Sequence, residues 1–368
     1  MNMTNNIIYK SVSSLKNFIK SSFQKLGVPE EDADICADIL ITSDQRGIQS
    51  HGIGRLRMYL DRIRKGLIEV NNTSEITKES PTTAVIDGNH GIGMVIGYHA
   101  MNLAIAKAKE FGLGAVAVRN STHFGIDGYY PLMAVKNNMI GMSFTNARPA
   151  VAPTFSNQPT LGTNPIAFGA PTDEKFPFLF DAATSITQRG KIEVLNRQEK
   201  DAYKGWVIGD DGRPLSNPKT ILDMLMKKKA ALLPLGGVSE DSGSHKGYGL
   251  STIVEILSSS LQSGAFLFAL SGFDSQGKET RFRVGHFFLA VNIENFLQIE
   301  QFKKNIGDLL RDLRSVNKYP GKDRIYTAGE KEYEIEKTIR EKGIPINSNL
   351  LSDLKYIDNL LGIGEFIG

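Results

Sequence analysis

Apolar and polar positions change their period twice along this chain. Over residues 11–25, Leu15, Phe18, Ile19 and Phe23 recur at helical spacing, and Gly27 stops the run. Pro29, followed by Glu30, Glu31 and Asp32, opens a second helix. Proline fits a first helical turn, and carboxylates favour the positive end of the helix dipole. Its apolar face carries Ile35, Ile39 and Leu40, and Gly47 ends it. Ser50 is placed to cap a third helix through Arg55, Tyr59, Ile63 and Arg64 to Gly66. Short apolar runs then predict strands over 83–87, 114–119, 140–145, 166–170, 178–181 and 285–291. Helices are predicted over 97–111 and 249–262, and helical signals return from 294 onward, including the charged run 331–342. The pattern is a mixed α/β middle between helical ends, which are expected to pack together as one discontinuous domain.

Composition narrows the class. The 368 residues are 41% hydrophobic and 23% charged, enough for a real core in two or three domains or one large α/β unit. Forty-three basic against forty acidic side chains leave +3, too balanced for the basic stripe of a nucleic-acid binder. The single Cys36 excludes an intramolecular disulfide framework and suits a reducing compartment. The first ten residues carry no apolar stretch of signal-peptide length. The most apolar segment, 264–270, falls far short of the roughly 20 residues a membrane span needs. A cytoplasmic protein with no membrane or nucleic-acid partner is expected. The six histidines are scattered, with no H-E-x-x-H and no cysteine pair, so no metal site is expected either.

Five stretches could carry chemistry. Gly91, Gly93 and Gly97 lie between a predicted strand and helix, near a dinucleotide fingerprint but off by one in spacing. The strand that follows ends in Arg119 rather than an acid, so a glycine-rich turn is the favoured reading. His51, Arg55 and Tyr59 are spaced i, i+4, i+8, which on a helix puts them on one face. A site for a 2-oxo or 2-hydroxy acid needs those types: arginine grips a carboxylate with two parallel bonds, and histidine exchanges a proton near neutral pH. An ordinary exposed polar face is the bland alternative. His123, in residues 120–125 just after a strand, is either a general acid/base or a histidine bonded within its own loop. Residues 162–165 and 181–185 are small, hydroxyl-bearing turns that either line a groove or are ordinary turns. Residues 244–250, with His245 and Lys246, head a helix and could take a phosphate, or form a capped helix start with an exposed lysine.

Taken in order, these stretches resemble the type-2 malate/L-lactate dehydrogenase family, which includes sulfolactate and ureidoglycolate dehydrogenases. The similarity covers about residues 10 to 350, and residues 325–332 look most like the malate dehydrogenase branch. The resemblance implies a mixed α/β fold with a non-Rossmann dinucleotide-binding domain over 79–305. It also implies a helical substrate and dimerisation domain from 1–78 and 306–368, and a homodimer with its active sites near the subunit contact. The implied activity is reversible hydride transfer between NAD or NADP and a short 2-hydroxy/2-oxo acid such as malate and oxaloacetate. His123 matches the acid/base, with His51 competing for the role. Arg55 matches the substrate-carboxylate arginine, and Ser50 and Tyr59 the neighbouring polar contacts. Asn120, Asn164, Pro165, Asp181, Ala182, Ala183, Thr184, Ser185, His245, Lys246, Gly247, Gly329 and Glu330 fall on dinucleotide contacts. Ala182 stands where the family has a methionine. A second cation for the distal substrate group could come from Arg57, Arg148 or Lys246. Lactate, sulfolactate, ureidoglycolate and imino-acid chemistry stay open as alternatives, as does a non-catalytic ligand-binding homologue.

Overall fold

The computed structural model describes residues 7–366. The first six and last two residues, which belong to the ends of the expected helical domain, lie outside the described residues.

The chain starts with β1 (Ile8–Lys10), α1 (Val12–Lys25) and α2 (Glu30–Gln45). A 3₁₀ turn (Ile53–Arg55) leads into α3 (Leu56–Arg64). Next come β2 (Glu75–Glu79), β3 (Thr83–Asp87), α4 (Gly93–Phe111), β4 (Leu113–Ser121), α5 (Tyr129–Val135), β5 (Met139–Thr145), β6 (Ile166–Ala170) and β7 (Phe178–Ala182). A smaller lobe holds α6 (Arg189–Arg197), β8 (Val207–Gly209), β9 (Pro214–Leu215), α7 (Pro218–Met226) and β10 (Ala230–Leu232). The chain ends with α8 (Ser244–Ser258), β11 (Val284–Asn292), α9 (Ile299–Ser315), α10 (Glu330–Lys342), β12 (Ile344–Ile346) and α11 (Ser348–Leu361).

Seven strands form one sheet in the order β2-β3-β4-β11-β5-β6-β7. Only β3 and β4 are parallel, joined by α4; every other pair is antiparallel. A doubly wound dinucleotide fold needs a mostly parallel sheet, so this mixed sheet is a different solution. The glycines of the near-fingerprint have another task. The Gly93 amide donates to Thr122 Oγ1, and a Cβ on Gly93 would sit 2.2 Å from the Thr122 carbonyl oxygen. The start of α4 is closed by the loop after β4 and has no room for a pyrophosphate.

The chain ends meet as β1 pairs with β12, and α11 packs on α1 and α3. Leu15, Phe18, Phe23, Leu40 and Tyr59 are fully buried in one core with Val116 and Phe288 of the sheet. Burying such side chains contributes roughly 1.5–3 kcal/mol each, which locks the N-terminal helices onto the sheet. The small lobe has a separate core around Ile192, Val207, Ile221 and Leu232. Helix α9 runs through residue 306, so it crosses the expected boundary between the two segments.

Local signals missed some boundaries. The third helix breaks before it includes His51, because the Ile53 amide is satisfied by Asp44 rather than by Ser50. Helix α4 begins four residues before position 97, and α8 begins at Ser244 rather than at 249. Glycine disfavours a helix locally, but at 247 it is required: a Cβ would lie 2.2 Å from the Leu235 carbonyl oxygen. Helix α8 then stops at Ser258, where Ser259 donates its hydroxyl to the Glu255 carbonyl. Among the described residues no helix is long and apolar enough to cross a membrane, and no group of three potential ligands could hold a metal ion.

Candidate active site

The turn carrying His51 and Arg55 is held by a buried carboxylate. Asp44, near the end of α2, accepts the Ile53 N–H at 2.7 Å. Gly52 permits this approach, since a Cβ there would lie 2.1 Å from Asp44 Oδ1. His51 Nδ1 is 2.9 Å from Ser50 Oγ, and Arg55 Nε donates to the Ser50 carbonyl at 2.5 Å.

Burial pushes the Asp44 carboxyl up to about 7, against the pull of the Ile53 amide. An acid whose folded pKa exceeds its unfolded value contributes most below the unfolded pKa, and that contribution fades as pH rises through the folded one. Between the ordinary value of 3.8 and about 7, Asp44 is therefore expected to withdraw stability as pH rises. At 1.36 kcal/mol per unit the loss is roughly 4 kcal/mol. Denaturant melts of the wild type and Asp44→Asn across this window check it. A stability difference that stays flat with pH would sink the assignment.

His123 approaches from the loop after β4. Tyr59 is fully buried, and its hydroxyl lies 2.6 Å from His123 Nδ1 and 3.2 Å from the His123 carbonyl oxygen. Among the described residues Nε2 has no hydrogen-bond partner. The His51 ring stacks on His123 with centroids 5.5 Å apart and planes at 13°. The three residues thus meet, but not as one helical face: Arg55 and Tyr59 belong to the 53–64 run, and His51 arrives from the turn before it.

Burial, then Arg55, lowers the His51 pKa to about 4. His123 is driven well below the usual histidine range, by burial first and then by His51, Arg55, Arg62 and His286. Both rings are neutral near pH 7, and a neutral imidazole can accept a proton.

His286, another histidine of the scattered set, is structural. It is fully buried, with Nδ1 2.8 Å from Thr145 Oγ1 and Nε2 2.8 Å from Ser121 Oγ. Its ring stacks on Phe124 at 4.4 Å, and Tyr130 donates its hydroxyl to the Phe124 carbonyl. Together they hold the loop that presents His123. Arg62 escaped the sequence reading, although its spacing from Arg55 and Tyr59 extends the same helical series.

The candidates for dinucleotide contact separate into groups. The Thr184 hydroxyl donates to the Asn164 carbonyl, the Leu235 amide donates to the Thr184 carbonyl, and Gly247 packs on Leu235. This knits Asn164, Pro165 and the 182–185 loop to the first turn of α8, where His245 and Lys246 are exposed. Asp181 and Gly329 line a cavity of about 280 Å³ with Arg46, Tyr326 and Lys331. Asp181 accepts the Gly128 amide at 2.8 Å. Its charge, after burial, holds the neighbouring Asp127 carboxyl well above the usual range. Three further candidate side chains are taken up internally. Asn120 donates to the Asp87 carboxylate. Asn164 donates to Glu255 and the Ser251 carbonyl. The buried Glu330 carboxylate is taken up by Arg324, Arg314 and Thr327.

This geometry can be set beside known proteins. A family model described as malate/L-lactate dehydrogenase matches residues 11–355. The chain belongs to the malate/L-lactate dehydrogenase family. It is therefore an oxidoreductase acting on CH–OH groups. The malate dehydrogenase of Pyrococcus horikoshii is 44% identical over 95% of this chain and 94% of its own length. The L-sulfolactate dehydrogenase of Methanocaldococcus jannaschii is 40% identical, over 95% and 96% respectively. The crystal structure of malate dehydrogenase from Entamoeba histolytica superposes with a TM-score of 0.93 at 46% identity, covering 97% of this chain and 99% of that one. The match runs over nearly the full length of both chains, so the mixed sheet described above is part of a fold shared with these relatives.

Proposed function

We propose that the protein is an NAD(P)-dependent malate dehydrogenase, which interconverts malate and oxaloacetate. The observation that carries this reading is the Tyr59–His123 pair, with Nε2 unpartnered and Arg55 free of any ion pair among the described residues.

The donor set fits a dinucleotide. Arg46 is buried, lines the 280 Å³ cavity, and has an Nε without a hydrogen-bond partner among the described residues. Lys246 and the first turn of α8 offer a cation at the positive end of a helix dipole, which suits a pyrophosphate. Asp181, the 182–185 loop and the Gly329 turn complete the contacts. When bound, the coenzyme supplies hydride transfer to and from the substrate carbon.

The chain's own residues do the rest. Arg55 grips the substrate carboxylate with its fork of N–H donors and so fixes the carbon next to it. For alcohol oxidation, His123 takes the hydroxyl proton at Nε2. This needs its Nδ1–H donated to Tyr59 Oη, with the Tyr59 O–H turned to the His123 carbonyl at 3.2 Å and the Gly125 N–H, which lies 3.3 Å from Nδ1, given to Tyr59 Oη instead. Burial keeps the Tyr59 phenol protonated, because its pKa is raised far above the usual tyrosine range. In the reverse direction the imidazolium donates that proton to the carbonyl oxygen. The substrate's negative charge offsets Arg55, one of the cations that disfavour imidazolium, so substrate and proton are taken up together.

In this reading residues 1–78 and 306–368 carry substrate contacts and dimerisation, and 79–305 bind the coenzyme. Leu250, Ile253 and Ile256 on α8, with Leu261, Phe266 and Phe268 beyond it, are 40–57% exposed. These residues lie within 79–305, so their exposed apolar face supports a homodimer whose contact also takes in the coenzyme-binding segment. The buried free thiol of Cys36 supports a cytoplasmic location.

The test is absorbance at 340 nm with NADH and NADPH, against oxaloacetate, pyruvate and other 2-oxo acids. Fast signal loss with oxaloacetate is expected, from a species sedimenting at twice the 40.5 kDa chain mass. Turnover confined to another oxo acid would move the substrate, and silence across the panel would remove the malate dehydrogenase reading.

A further inference from the structure

Arg62 lies seven residues after Arg55 and three after Tyr59, so all three project from one side of the 53–64 run. Its guanidinium rests on the Phe282 ring, with Cζ 4.1 Å from the ring centroid. Stacking of this kind fixes the plane of the guanidinium fork. Among the described residues Arg62 forms no ion pair. Glu279, the acid within its electrostatic reach, is itself bonded to Lys65 at 2.7 Å.

The surroundings of Arg62 are cationic. Arg148 and Arg55 act on it as like charges and, with burial as the larger cause, bring its pKa down to about 10. Arg55 and Arg62 both act electrostatically on the Tyr59–His123 pair, so both guanidiniums lie within charge range of the atoms that handle the proton. Arg148 is exposed on the loop after β5. Arg57, a sequence candidate for the second cation, is turned away: it pairs with Asp353 and stacks on Tyr356 at 4.4 Å. One substrate carboxylate occupies Arg55 and leaves the held, partly desolvated fork of Arg62 without a counter-charge.

We propose that Arg62 receives the second acidic group, carboxylate or sulfonate, of a dianionic substrate, and so sets the preference for dianionic over monoanionic 2-oxo acids. This rests on the reading of the site as one for oxo acids held by Arg55. A planar fork addresses two oxygens of either acid group, and a substrate lacking that group leaves a half-buried cation unpaired. Discrimination by a missing partner is larger than discrimination by size.

Calorimetry with two unreactive four-carbon acids, succinate and butanoate, tests it without turnover. The wild type is expected to prefer succinate, and Arg62→Gln to lower the succinate-to-butanoate affinity ratio by roughly 10²-fold. Arg62→Lys keeps the charge without the fork and should restore part of that ratio. The ratio of kcat/KM for oxaloacetate over 2-oxobutanoate should follow the same order. An unchanged ratio in Arg62→Gln, with both acids still weakened by Arg55→Ala, overturns the role of Arg62 alone. If Arg55→Ala leaves both acids binding as before, the reading of the site fails with it.

Discussion

Replacing His123 by alanine is expected to lower kcat by roughly 10²–10⁴-fold, while the dinucleotide still binds. The size of the effect follows from the missing proton acceptor. Without the imidazole, the alcohol proton must leave to water in the same step as the hydride, or the alkoxide must form unaided. Coenzyme affinity should persist because the 182–185 loop and the first turn of α8 are held by bonds that do not involve His123. The pair of rings makes the result decisive. His51 stacks on His123 and is neutral as well, so it is the residue that takes the role if His123→Ala turns over normally. His51→Ala is expected to cost less, because no buried group like Tyr59 orients the His51 ring. Pre-steady-state kcat for both variants, with coenzyme binding read from NADH fluorescence, separates the two assignments. A larger loss in His51→Ala would reverse them.

Arg55→Ala is expected to reduce kcat/KM for the oxo acid by roughly 10²–10³-fold, the loss of two charge-assisted hydrogen bonds at about 1.5–2 kcal/mol each. The variant has a second expected signature. Arg55 lowers the pKa of both histidines, so its removal should shift the acid limb of the pH–rate profile upward. Arg55→Lys should recover the pH profile but not the full kcat/KM, since a point charge replaces the fork. Unchanged kcat/KM for the oxo acid in Arg55→Ala would remove the arginine from substrate binding.

The local patterns located β3 to β7, β11 and the N-terminal helices to within a few residues, but missed β2, whose five residues are all exposed and so carry no alternating apolar face. They were least reliable where a helix start depends on a distant partner. Ser50 has the chemistry of a cap, yet the cap comes from Asp44 in the preceding helix. Gly247 and Gly249 read as a break, yet the Leu235 loop requires a glycine at 247. The short strands β8, β9, β10 and β12 leave too little sequence for a period to register.

The sequence by itself determined most of the residue types of the site and their order: a histidine, an arginine and a tyrosine over residues 51–59, and a second histidine after a strand. It also determined that a metal centre, a disulfide framework and a membrane span have no basis in composition or spacing. Only the tertiary structure decided which of these residues act together. It sent Arg57 to Asp353, left Arg62 within charge range of Tyr59 and His123, packed His286 into the core, and gave the Glu330 carboxylate to Arg314 and Arg324. The reason is range. A helical period reports which side chains share a face over a few residues, whereas burial and counter-charge come from segments tens or hundreds of positions away.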